Sequence, residues 1–228
     1  MKRKLKILGW EMASVLWIAL GGAVLHFAFE LSDYWTPMAL MAAVNESIWE
    51  HLKMYFWPGL VWALGQYTYT RHIANNYWLG KAAALAITPI SIIVMYQAYF
   101  TYANAVDKTP TLWVMLVIMF IGIILAQLTS YVILSMEPLS RRTLRFAPAG
   151  LLSLLFMFST FTYFPPKVFL FENFACYTYT GEYGILDDYE PYRVFVKVDE
   201  NGVKNGGGVF YCDNKNKDLE AIVADTSL

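Results

Sequence analysis

Five long apolar stretches constrain this chain more than any other feature. A helix rises about 1.5 Å per residue, so roughly 20 apolar residues cross the hydrocarbon core of a bilayer. Stretches near 8–30, 47–69, 79–102, 111–134 and 146–163 each meet that length. The first continues into acidic and aromatic residues without a small-residue cleavage pattern, which argues against a cleaved signal peptide. Of 228 residues, 57% are hydrophobic and 15% charged, against about 25% charged in a soluble domain. The expectation is an all-α membrane fold: a bundle of about five transmembrane helices over residues 1–166, followed by a small soluble tail over 167–228.

The charges are unevenly placed. Residues 1–170 carry 12 Lys plus Arg and 7 Asp plus Glu, whereas residues 171–228 carry 5 and 11. With a net charge of −1 there is no bulk electrostatic case for a nucleic-acid partner. Lys2, Arg3, Lys4, Lys6, Arg71, Lys81, Arg141, Arg142 and Arg145 all fall on one side if the N-terminus is cytoplasmic. By the positive-inside rule this predicts a cell-membrane protein with a cytoplasmic N-terminus and an extracytoplasmic tail. Trp10, Trp35, Trp49, Trp78, Trp113 and Tyr163 lie near span ends, as interfacial aromatics do. Pro58 and Pro89 fall inside the second and third stretches.

The tail offers one local signal. Residues 193–198 alternate as a strand does, Asn201-Gly202 suits a tight turn, and Val209–Cys212 is the expected return strand. Cys176 and Cys212 form no CxxC pair, so a closed thiolate zinc site is not expected. In an extracytoplasmic tail the two could bond to each other.

Ionisable residues in membrane segments are costly and usually functional. Here they concentrate at one level. His26 and Glu30 lie four residues apart near the end of the first stretch, on one helix face. Asn45, Glu46, Glu50, His51 and Lys53 open the second stretch, with Glu46, Glu50 and Lys53 expected along one helical face. A short antiparallel link places both groups at the outer interface. His26, Glu30, Glu46, Glu50 and His51 are therefore the candidate metal ligands, for a divalent ion such as zinc, since imidazole and carboxylate suit such ions. Glu50 and His51 are also candidates for acid–base catalysis without a metal.

A structural explanation competes with this one. Asn45 is a suitable N-cap, Glu46 complements the helix dipole, and Glu50 can pair with Lys53. Glu11 and Lys81, at inner span ends, are expected to be solvated. Gln66, Gln97 and Gln127 lie within stretches and can bond between helices.

The segment VNESIWEH, Val44 to His51, resembles a motif of a family of small bacterial multi-pass membrane proteins of unknown function. The upstream His26 and Glu30 share in the likeness. So do Pro165 and Pro166 with the FLFEN that follows. The resemblance covers roughly residues 20–185 and implies no activity. From the residues, the leading function is a membrane-embedded hydrolase acting on a lipid or another extracytoplasmic substrate. A small transporter and a non-catalytic membrane partner are the alternatives.

Overall fold

The computed structural model describes residues 2–166 and 168–171, together with 197–198 and 204–205. The fold is all-α of the membrane type. The long helices are α1 (Lys2–Leu31), α2 (Ile48–Thr70), α3 (Tyr77–Ala105), α4 (Leu112–Ser135) and α6 (Phe146–Thr160), the last preceded by a single turn, α5 (Arg141–Leu144). Their limits follow the apolar stretches closely. Four helical segments are long and apolar enough to cross a membrane: 2–31, 77–105, 112–135 and 141–160. The 23-residue α2 is long enough but more polar, because it opens with Glu50, His51 and Lys53 and is rich in Trp and Tyr.

The chain divides into two compact units. One comprises Met1–Gly22 and Tyr55–Phe156, the other Ala23–Met54 and Met157–Leu228. In the first, α3 and α4 pack closely through two reciprocal glycines. A Cβ on Gly80 would lie 2.1 Å from Leu134 Cδ1, and one on Gly122 would lie 2.6 Å from Ile92 Cγ1. Small residues at such crossings let membrane helices approach without a hydrophobic driving force. The carbonyls at the end of α4 are not left bare. Asn75 Nδ2 donates to Met136 O at 2.6 Å, and Asn76 Nδ2 donates to Glu137 O at 3.0 Å.

This unit corrects one expectation. Glu11 and Lys81 are not solvated; both are almost wholly buried. Lys81 Nζ donates to both Glu11 oxygens, at 2.7 and 2.8 Å, and to Gln66 Oε1 at 2.8 Å. Gln66 Nε2 donates to Glu11 Oε1 at 2.7 Å, and Trp62 Nε1 donates to Gln66 Oε1 at 2.8 Å. Position along a helix fixes depth but not rotation, and here three helices turn these groups toward one another. Gln66 thus bonds between helices as expected, while Gln97 is exposed.

In the second unit, α1 ends in a Schellman-type turn. Tyr34 N–H donates to Phe29 O at 3.0 Å and Asp33 N–H to Glu30 O at 2.9 Å, with Asp33 at φ 57°. Asp tolerates this left-handed conformation better than most side chains. A 3-10 turn (Thr36–Leu40) follows, and the segment folds back so that Ala43 N–H donates to Leu25 O at 3.2 Å. Phe29, Ala39, Ala42 and Val44 form the apolar cluster beneath it. Trp49, one of the aromatics near a span end, is buried within the protein and stacks on Phe158, centroids 4.7 Å apart, with Phe171 at 5.0 Å.

In the tail, β1 (Lys197–Val198) pairs antiparallel with β2 (Lys204–Asn205), Lys197 opposite Asn205. The pairing spans the Asn201-Gly202 pair, where a tight turn is expected. Val209–Cys212 and both cysteines lie outside the described residues.

Candidate metal centre

The start of α2 decides how the polar residues are aimed. Ser47, not Asn45, is the N-cap: its Oγ accepts from Glu50 N–H at 3.3 Å. Asn45 lies two residues earlier, and its Oδ1 accepts from Ser47 N–H at 2.9 Å. This arrangement satisfies donors that a helix start leaves unpaired. It also begins the helix after Glu46. Glu46 therefore does not share a helical face with Glu50 and Lys53, as even spacing had suggested. Its side chain points one way while theirs point another.

Glu46 turns toward two imidazoles. Its Oε1 lies 3.4 Å from His26 Nε2, and its Oε2 lies 3.3 Å from His51 Nε2. The two rings are 5.3 Å apart, at 67°. One ligand atom from each of the three residues can be chosen so that all lie within 4.8 Å of one another. All three side chains are partly exposed, so the group is open on one side.

The protonation pattern of His51 is set by its backbone. His51 Nδ1 lies 2.8 Å from Ser47 O, and a carbonyl can only accept, so Nδ1 carries the proton. Nε2 is thereby aimed at the shared space: it donates to Glu46 when the ring is charged and offers a lone pair when the ring is neutral. A metal-binding histidine is commonly oriented in this way, by a carbonyl on its other nitrogen. His26 Nδ1 is buried with no hydrogen-bond partner among the described residues. Glu46 is held ionised. Burial opposes its charge, but the hydrogen bond from His51 and the nearby charges of His51 and His26 outweigh burial. They keep the carboxyl below its usual range.

The spacing suits a small divalent ion. Two ligands each about 2.0–2.1 Å from a tetrahedral zinc lie roughly 3.3 Å apart. Each Glu46 oxygen lies at about that separation from one imidazole, 3.4 Å for His26 and 3.3 Å for His51. Two histidines and one glutamate form a ligand set typical of zinc sites that keep a coordination position open.

The other two sequence candidates lie elsewhere. Glu30 is half-buried beside Tyr34, close enough to help raise the Tyr34 hydroxyl above its ordinary pKa, second to burial. Glu50 is buried and does not join the three-residue group. It forms an ion pair with Lys53, and its Oε2 accepts from Val44 N–H at 3.1 Å. Thr162 Oγ1 donates to Glu50 Oε1 at 2.8 Å. Lys53 Nζ also donates to Ala39 O at 2.7 Å and to Thr162 Oγ1 at 2.8 Å. The Glu50–Lys53 pair was legible as an i,i+3 spacing. Thr162, more than a hundred residues away, carried no signal in sequence.

Taken together, the helices and this cluster define a membrane-type helical protein with a His/Glu group near the junction of its first two long helices. The chain belongs to a family of unknown function (DUF6512), whose model matches residues 1–185. The match stops short of the hairpin at 197–205, in keeping with a tail outside the family's common part. No curated protein and no solved structure matches the chain.

Proposed function

We propose that this chain is a multi-pass membrane protein that binds a divalent metal ion, with zinc the best fit, through His26, Glu46 and His51. In this reading it is a hydrolase of the outer interface, with the N-terminus cytoplasmic and the tail beyond residue 166 extracytoplasmic. The convergence of three ligand atoms within 4.8 Å, one aimed by Ser47 O, carries the proposal. An ion so held keeps an open position, where bound water becomes a nucleophile near neutral pH. Of the two residues first considered for acid–base work, His51 then acts as ligand and Glu50 supports the site from behind.

The substrate is an amphiphile of the bilayer. His26 packs against Phe27, ring centroids 4.6 Å apart, and Phe27 belongs to an exposed apolar stripe with Val24 and Leu31. A stripe of this kind faces acyl chains, so a lipid ester or phosphoester group can reach the cluster from the membrane side. The transporter alternative draws support from the buried Glu11–Lys81 pair. That pair is closed on itself, however, with all three Lys81 donors used, and offers no group to a passing solute.

The test is metal analysis of protein purified in detergent, with and without His26→Ala. One zinc per chain in the wild type, lost in the variant while thermal unfolding is retained, is the expected result. Wild-type protein that takes up no divalent metal at micromolar concentrations refutes the metal reading.

A further inference from the structure

Glu46 sits on a segment with little regular structure, between the 3-10 turn and α2. Something must hold it against two histidines on separate helices. The apolar cluster around Phe29 sets the segment's depth but not the direction of one carboxylate, because apolar contacts are non-directional. Besides the bond from Ala43 N–H to Leu25 O, directional bonds reach this stretch of chain from two buried charges. Glu50 takes the N–H of Val44, two residues before Glu46, and Lys53 takes the carbonyl of Ala39. The same two side chains pair with each other, and both bond Thr162, which follows α6.

We infer that Glu50, Lys53 and Thr162 form a buried clamp that positions Glu46 for the His26–His51 site. It rests on the proposed metal site and adds three positioning residues to it. The clamp joins three parts of the unit: the 39–44 segment, the first turns of α2, and the chain just past α6. Its cost argues for a purpose. Removing an ion pair from water costs several kcal/mol per ion, and an apolar pair of similar volume is often as stable. A main-chain N–H and a main-chain carbonyl of one segment, however, need an anion and a cation respectively to hold them by charge-assisted bonds. An apolar pair would fill the space and leave both main-chain groups unpaired. His51, adjacent to Glu50 on α2, is carried on the same rigid turn, so the clamp fixes Glu46 and His51 relative to each other. Outer residues that orient metal ligands contribute about 10–100-fold to affinity.

The double variant Glu50→Leu/Lys53→Met removes both charges together and strands neither. It is expected to lower zinc affinity about 10–100-fold, and to shift the imidazole 15N signals of His26 and His51 in metal-free protein. Thr162→Val is expected to act in the same direction with a smaller loss, and Thr162→Ser to restore wild-type behaviour. If the double variant does not fold, the Thr162 pair decides. Folded variants with wild-type zinc affinity and unmoved imidazole signals overturn the inference. Wild-type protein without zinc would end the metal reading, while the imidazole signals would still decide whether the clamp positions the cluster.

Discussion

Among the described residues there are two buried lysine–glutamate pairs, and they are built differently. In the first unit, Glu11, Gln66 and Lys81 bond to one another and to Trp62, side chain to side chain. In the second, Glu50 and Lys53 spend part of their capacity on the main chain at Val44 and Ala39. The first network locks helices together and ends there. The second fastens a loop that carries a ligand. Burial and charge alone would rank the two equally; where the spare hydrogen bonds go distinguishes a lock from a clamp.

The largest expected effect lies in the lock. Lys81→Met leaves the Glu11 carboxylate buried without its cation and should cost about 3–5 kcal/mol. Equilibrium unfolding in detergent measures this, and the fraction that remains folded should bind zinc as before. Reduced zinc affinity in that fraction would erase the distinction between the networks. His26→Ala should do the reverse, with unfolding nearly unchanged and zinc affinity reduced beyond the about 10–100-fold expected of a supporting residue. Isothermal titration reads it. Gln66→Leu comes next. It leaves Trp62 Nε1 and one lysine donor unsatisfied, for about 1–3 kcal/mol, again without effect on metal.

The smallest effect is in pH. The Glu46 carboxyl is held below its ordinary value, so its contribution to stability is present above the usual carboxylate range and fades as pH falls through its lowered folded value. In metal-free protein, the share of thermal stability that Glu46 supplies should decline as pH falls below about 5. Glu46→Gln should flatten that decline, and an unchanged acid limb in this variant would mean that Glu46 is not held ionised by the histidines.

Much of this fold was legible in advance, because hydrocarbon imposes a length and an apolar composition that sequence shows directly. The helix limits and the level shared by His26, Glu46 and His51 came from such one-dimensional facts. What escaped was rotation. Glu11 and Lys81 lie near span ends in sequence, and only their azimuth makes them partners. Glu46 and Glu50 looked coplanar because the helix was assumed to begin at Asn45. A start at Ile48, set by Ser47, sends the two carboxylates apart. Thr162 could not be foreseen, since a lone threonine past an apolar run has no pattern. The burial of Trp49 was not legible either, because Phe158 and Phe171 supply an inward stack that composition does not reveal.

The glycine contact between α3 and α4 bears on the lock in a way that concerns register. Gly80 immediately precedes Lys81, and it rests so close to α4 that a single added carbon would meet Leu134 at 2.1 Å. Successive helical residues differ by about 100° in azimuth. A slip of one residue along this seam would swing the lysine a quarter turn or more away from Glu11. The smallest residue in the sequence thus serves as a keyway: an absent side chain on one position sets the compass bearing of a charge on the next.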